Sequence, residues 1–191
     1  MLPERVVFMK TPAAKWIFWM ALLLFPLCGG CGYHSANSGG NGPRLPVFIT
    51  VLENRTAETG LENRITNELV RELTADSRFL VSAPDEGGGI LSGAVLSILE
   101  DSASRRVSGL SSERRLRVAV SLSLLGPEGR TVWKNNSLQD FETYVVVQEQ
   151  PGLTSENRSR ALIRLSTRLA RKARFEMGSV WEAFGGDVRE D

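Results

Sequence analysis

The sequence predicts an α+β domain, a four-stranded, mostly antiparallel (mixed) sheet with two helices packed on one face. Three observations predict it. Arg115 to Leu125 alternates strictly, Leu116, Val118, Val120, Leu122 and Leu124 against Arg115, Arg117, Ala119, Ser121 and Ser123. That is the period of a strand with one buried and one wet face. Two other stretches repeat apolar residues at three/four spacing, Leu61, Ile65, Leu69 and Leu73 in one, Leu162, Leu165, Leu169, Ala173, Met177, Val180, Trp181 and Phe184 in the other. Each is the stripe of a helix facing a core. Finally, turn signals separate the elements in the order β-α-(short β)-β-β-β-α, with no internal repeat.

The domain is preceded by a leader. Arg5, Lys10 and Lys15 supply positive charge, and Trp16 to Leu27 is a twelve-residue apolar run, too short to span a membrane comfortably. The run ends in Leu27-Cys28-Gly29-Gly30-Cys31-Gly32-Tyr33-His34. Small residues before a cysteine suit a peptidase that cuts at the bilayer and leaves the thiol to be acylated. Cys31, preceded by two glycines, is the better anchor than Cys28, which follows Pro26 and Leu27. The fit is imperfect, because Cys28 fills the place where the pattern has Leu27. An uncleaved membrane anchor or a plain secretory signal is the alternative. Residues 1–30 are thus expected to be signal peptide, and residues 31–43 an acylated cysteine and a Gly/Ser/Asn tether. Two or three acyl chains at ~0.8 kcal/mol per buried CH₂ would make the anchoring effectively permanent. Gly32 rather than Asp after the anchor resembles bacterial lipoproteins sent to the outer membrane.

From there a single domain over residues 44–185 is expected, with residues 186–191 as a frayed tail. Arg44 to Asn54 is apolar on both alternate faces and predicts a central strand. Thr59-Gly60-Leu61-Glu62 reads as a capping box opening the first helix, which stops near Asp76. Arg78 to Ser82 is a short extended piece and Pro84 to Gly89 a turn. Ile90 to Glu100 is a second long strand whose Gly93 suggests a bulge or a close backbone approach. Asp101 to Glu113 reads as a polar hairpin loop of thirteen residues. Arg115 to Leu125 and Thr131 to Val147, joined at Pro127–Arg130, form the next hairpin. After a loop at Gln148–Gly152, the last helix runs from Thr154 to about Phe184.

Composition excludes more than it assigns. The chain holds 23 basic and 22 acidic residues, of which 20 and 21 remain after residue 30, so near-neutral charge argues against a nucleic-acid partner. Only Cys31 survives cleavage, leaving no disulfide and no thiolate metal site. The single histidine, His34, lies three residues from the anchor, which disfavours a histidine triad or a histidine metal centre. Gly87-Gly88-Gly89 lacks the Lys-Ser/Thr of a phosphate loop. No catalytic set, metal or cofactor is expected, and the chain reads as no enzyme.

Two basic groups remain. In the last helix Arg160, Arg164, Arg168 and Arg171, with Lys172 and Arg174, read first as a solvated face and otherwise as a contact for lipid phosphates or an acidic partner. Arg105 and Arg106 in the long loop, with Arg114, Arg115 and Arg117 at its base, suit a phosphorylated glycolipid, because a guanidinium holds phosphate oxygens in a bidentate way. Trp133, Phe141, Tyr144 and Trp181 read as core or sheet-edge residues, with a docking patch as the alternative.

Cys31-Gly32-Tyr33-His34 after the leader, a first strand leading to Glu53-Asn54-Arg55-Thr56, and then Thr59-Gly60-Leu61-Glu62 with Ile65-Thr66 and Leu69 resemble the LptE family of LPS-assembly lipoproteins. The Leu91-Ser92-Gly93 strand, the tryptophan of the fourth strand and the long last helix are similar too, so the resemblance covers essentially the whole mature chain. It implies a non-enzymatic role. Such proteins plug the large outer-membrane β-barrel LptD, help it assemble, and bind lipopolysaccharide during insertion into the outer leaflet, from the periplasmic face or the barrel lumen. It also implies two helices on a four-stranded sheet. The arginine group Arg105, Arg106, Arg114, Arg115 and Arg117 as a lipopolysaccharide site is a physical expectation and not a carry-over. The alternative is another periplasm-facing outer-membrane lipoprotein, such as a peptidoglycan-synthase activator or a secretion-pore component, which would co-purify with a different partner.

Overall fold

A computed structural model describes residues 44–84, 86, 88–105 and 111–185. The leader, both cysteines, the tether, Arg106 and the tail from residue 186 lie outside the described residues. The elements run β1 (Leu45–Ile49), β2 (Glu53–Asn54), α1 (Leu61–Thr74), β3 (Phe79–Val81), β4 (Gly89–Arg105), β5 (Ser111–Leu125), β6 (Thr131–Val147) and α2 (Pro151–Gly185). The class is the expected α+β one, but the sheet has six strands rather than four, in the order β3-β1-β4-β5-β6 with β2 also on β4.

Two short pieces account for the difference. The apolar stretch at 44–54 breaks because Thr50 turns both its N–H and its hydroxyl onto the Leu91 carbonyl, at 2.9 and 3.2 Å. The Leu52 N–H then donates to the Thr66 hydroxyl of α1 at 3.2 Å, and β2 forms only after that detour. Arg78–Ser82 becomes an edge strand because α1 carries the chain across to pair parallel with β1, Leu45 opposite Phe79 and Val47 opposite Val81. β1 is therefore central, flanked by β3 and β4, both parallel to it, while β4, β5 and β6 form an antiparallel meander.

One core fills the space between sheet and helices. It takes Leu45, Val47 and Ile49 of β1, Leu91 and Val95 of β4, Leu116 to Leu124 at alternate positions of β5, and Trp133, Leu138 and Tyr144 of β6. The α1 stripe Leu61, Ile65, Leu69, Leu73 and the α2 stripe Leu162, Leu165, Leu169, Met177 face it. Each fully buried leucine contributes roughly 2–3 kcal/mol in removed apolar surface. Gly93 meets its expectation: a Cβ there would lie 2.1 Å from the Ser121 carbonyl oxygen of β5. Near that level the register slips between Val95 and Ser97 in the β4–β5 pairing and between Val120 and Leu122 in the β5–β6 pairing, which bends the meander.

The capping box at Thr59–Glu62 does not form. Gly60 is the N-cap, at φ 83°, with no side-chain cap. Glu62 is engaged elsewhere, its Oε2 accepting from Asn54 Nδ2 at 2.7 Å, and the same amide donates to the Glu58 carbonyl at 2.8 Å. An asparagine turn, with its Oδ1 accepting from Thr56 N at 2.9 Å, organises this entry. The last helix starts three residues earlier than expected because Pro151 suits the first helical turn, with Thr154 returning its hydroxyl to Val147.

Candidate functional site

The thirteen-residue polar loop is mostly strand. β4 runs on through Arg105 and β5 begins at Ser111, with Asp101 opposite Arg115, Ser102 opposite Arg114 and Arg105 opposite Ser112. Polar side chains are accommodated there because the helix-side face is closed by hydrogen bonds among Arg114, Glu100, Tyr144 and Arg158. The structure therefore places Arg105, Arg114, Arg115 and Arg117 on a long strand pair, and the two-residue period of the strand sorts the last three by face.

Arg114 falls on the helix side. Its Nη1 donates to Glu100 Oε1 at 2.8 Å. Glu100 also accepts from the Tyr144 hydroxyl at 2.5 Å and from Arg158 Nε at 3.3 Å. Arg158 in turn clamps Glu58 in a bidentate pair at 2.8 and 2.9 Å. One carboxylate thus joins β4, β5, β6 and α2, and Arg158 adds the turn before α1. Burial would raise the Glu100 pKa, but the hydrogen bonds from Tyr144, Arg114 and Arg158 outweigh it and hold the group below the ordinary range. The Arg158 hydrogen bond holds Glu58 below its usual value too, and burial together with Glu100 raises Tyr144.

Arg115 and Arg117 fall on the opposite face, which the helices leave open. Arg117 stands between Leu99 and Phe141 across the three strands, and Arg115 between Asp101 and Thr143. The Arg115 guanidinium lies over the Phe141 ring, 5.0 Å from its centre, a cation–π contact that also shields its Nε from water. That Nε has no hydrogen-bond partner. Arg105 closes β4 by its backbone pairing, and Arg106 lies outside the described residues. The expected group is thus split: Arg114 on one face, Arg115 and Arg117 on the other.

The α2 arginines are not a free cationic face. Arg164 pairs with Glu142 at 2.7 Å. Arg168 reaches Asp140 at 3.1 Å and Glu142 at 2.5 Å, and Lys172 reaches Asp140 at 3.2 Å. Arg171 and Arg174 pair with Glu72 at 3.5 and 3.2 Å, and Arg160 pairs with Glu156 one turn away. Burial tends to raise Asp140 and Glu142, and the α2 cations more than offset it, leaving both below the ordinary carboxylate range. A deeper lock lies where α1 ends. The Asp76 side chain, 6% exposed, accepts from Arg78 Nε at 2.9 Å and Nη2 at 2.6 Å and from Arg174 Nη1 at 2.9 Å. The Arg78 hydrogen bond foremost brings the Asp76 pKa down to about 2.

Sequence reasoning missed the Glu58–Arg158–Glu100–Tyr144 network. No spacing rule links residues about a hundred positions apart, and only Tyr144 was singled out, as an aromatic. Trp133 and Tyr144 are buried as expected and Trp181 packs on the core, whereas Phe141 is 52% exposed. Among the described residues no cluster of acidic, histidine or cysteine side chains could hold a metal ion, and no helix is long and apolar enough to cross a membrane.

Among solved structures the chain is similar to the rare lipoprotein B from Shewanella oneidensis, with 12% identity over 72% of this chain and 98% of that one and a TM-score of 0.48. It is also similar to a minor lipoprotein from Acinetobacter baumannii (18% identity, 72% and 94% covered, TM-score 0.44) and to lipoprotein B from Nitrosomonas europaea (18% identity, 74% and 90% covered, TM-score 0.44). No curated protein matches the sequence. The family model described as LptE, lipopolysaccharide-assembly, matches residues 46–174, from the second residue of β1 into the third quarter of α2. The chain belongs to the LptE family of lipopolysaccharide-assembly proteins.

Proposed function

We propose that this chain is an outer-membrane lipoprotein, anchored through acylated Cys31, that plugs and helps assemble an LptD β-barrel and binds lipopolysaccharide for insertion into the outer leaflet. The observation that carries the reading is the family match over residues 46–174, which spans the sheet and both helices. The role is assembly, with no catalytic step. The lipid holds the domain at the inner leaflet, residues 32–43 tether it, and the sheet and helices fill the lumen.

The extended β4–β5 arm supports the lipid-binding part. It carries Arg114 on one face and Arg115 and Arg117 on the other, all near one end of the hairpin that leads to Arg105 and Arg106. Charge-assisted hydrogen bonds from guanidinium to phosphate are worth roughly 1.5–3 kcal/mol each, so two or three would select a phosphorylated glycolipid over a neutral one. The test is to isolate the tagged, lipidated protein from detergent-solubilised outer membranes and measure both partners. A stoichiometric large β-barrel is expected, and Arg105→Glu with Arg106→Glu should weaken lipopolysaccharide binding at least tenfold while the barrel still co-purifies. A different partner would refute the plug, and unchanged lipid binding in the folded variant would refute the arginine site.

A further inference from the structure

Near the hairpin arm the open face of the sheet gathers exposed apolar side chains around Arg115 and Arg117, and the core uses none of them. Leu99, Arg117 and Phe141 stand in one row across β4, β5 and β6. Arg115 lies one row further on, stacked on Phe141, and Val145 beyond it. Leu99, Phe141 and Val145 are 56%, 52% and 40% exposed. Phenylalanine and arginine are residue types enriched at protein interfaces, and an exposed apolar patch such as this one marks an interaction site. The charges point the same way. Among the described residues Arg115 and Arg117 form no ion pair, although Asp101 stands opposite Arg115 in register. The α2 cations, by contrast, are taken up by carboxylates of the same chain.

We infer that this face docks against an acidic protein surface, the inner wall of the barrel, with carboxylates meeting Arg115 and Arg117 and an apolar contact covering Phe141, Leu99 and Val145. The inference rests on the barrel-plug reading, adds which face of the domain meets the wall, and gives Arg115 and Arg117 to that wall, leaving Arg105 and Arg106 to lipopolysaccharide. An aromatic ring and aliphatic side chains set among arginines on an open sheet face suit a protein wall. Two unpaired guanidinium groups call for a partner of negative charge. The Arg115 side chain, its Nε buried, already lies over the Phe141 ring, so little freedom is lost on docking.

The test compares the lipidated wild-type chain with Arg117→Glu, Phe141→Ser and the pair together, and with Arg160→Glu on the outer side of α2 as a control. The readouts are the amount of barrel co-isolated per chain, the unfolding temperature, and binding to phosphatidylglycerol vesicles. The expected result is a loss of barrel of tenfold or more in the double variant, with an unchanged unfolding temperature and a normal Arg160→Glu. Should the double variant unfold early, Arg117→Glu alone decides, since that side chain has no partner to lose. Wild-type amounts of barrel with the double variant would overturn the inference, as would lost vesicle binding with the barrel retained, which would make this a lipid-facing surface. No barrel with the wild-type chain would instead overturn the plug reading itself.

Discussion

Replacing Asp76 by asparagine tests whether the lock between α1, β3 and α2 holds the fold together. The carboxylate accepts four hydrogen bonds within 3.1 Å: the Arg78 backbone N–H, Arg78 Nε and Nη2, and Arg174 Nη1. Its side chain is 6% exposed, and those of both arginines are 27% exposed. Asparagine keeps the size but loses the charge, and it turns an NH₂ toward one of the two guanidinium groups. Removing one member of a well-buried pair costs about 3–5 kcal/mol. Here both arginines reach water and Arg174 keeps Glu72 at 3.2 Å, so a cost near 2 kcal/mol is expected.

The pKa gives an independent figure. Asp76 is lowered from 3.8 to about 2, which by linkage is ~2 kcal/mol of stability. The folded-state pKa is depressed, so this stability is fully present above the unfolded value and is lost as pH falls from about 5 toward 2. Circular-dichroism melts at pH 7 should therefore put Asp76→Asn below the wild-type domain by about 6–8 °C. That gap should shrink steadily below pH 5 and close near pH 2. The other paired carboxylates protonate in both proteins and cancel in the difference. A gap under 2 °C at neutral pH, or one that persists at pH 2, would refute the reasoning.

Other sites give sharper geometric tests. Gly178→Ala places a Cβ 2.3 Å from the Arg78 guanidinium carbon, so Arg78 must leave Asp76. The usual gain of about 1 kcal/mol for Ala over Gly in a helix should become a net loss of similar size, whereas in the Asp76→Asn background the same change should stabilise. Equal effects in both backgrounds by denaturant titration would show that Arg78 simply moves aside. Gly93→Ala sets a Cβ against the backbone oxygen of Ser121 at 2.1 Å, which no rotamer can relieve, and the midpoint of urea unfolding should fall by the equivalent of about 3 kcal/mol. Tyr144→Phe removes one of three donors to Glu100 and should cost about 1 kcal/mol, with no change in barrel capture.

What the sequence made legible were the periodic elements. The alternation through Arg115–Leu125 and the leucine stripes of both helices are decided by burial of one face: α1 buries Leu61, Ile65, Leu69 and Leu73, and α2 buries its stripe from Leu162 to Met177 with Val180 and Trp181 partly covered, the Phe184 side chain lying outside the described ones. Illegible were the features set by contacts between distant segments. Thr59 and Glu62 have the spacing of a capping box, yet Asn54 captures Glu62 first. Asp101–Glu113 reads as a loop because its residues are polar on both alternate faces and carry no apolar strand period, although the backbone ladder continues. The arginines Arg114, Arg115 and Arg117 could be found by composition. Their division between two faces follows from strand parity, which was readable, whereas the bond from Arg114 to Glu100 across fourteen residues was not.

The ion pairs along α2 have a further consequence for a protein proposed to work inside a β-barrel. β6 is seventeen residues long and ends the sheet on its side, and a long bare edge invites another strand to pair with it. Here α2 lays its polar side chains on that edge. Thr154 exchanges hydrogen bonds with the N–H and C=O of Val147. Asn157 donates to the Val145 carbonyl, Arg168 to that of Phe141 and Lys172 to that of Gln139. Each capped residue lies on the same alternate set, the one whose backbone groups face away from β5. The basic residues of α2 therefore serve two ends at once: their charges are satisfied by Asp140 and Glu142, and their donors occupy the carbonyls that a foreign strand would need. A free cationic face could not do this, since a guanidinium held by a phosphate has few donors left for the edge. The division of labour follows: Arg168 and Lys172 of α2 help keep the sheet finite, and Arg115 and Arg117 of the β4–β5 arm remain for something outside the chain.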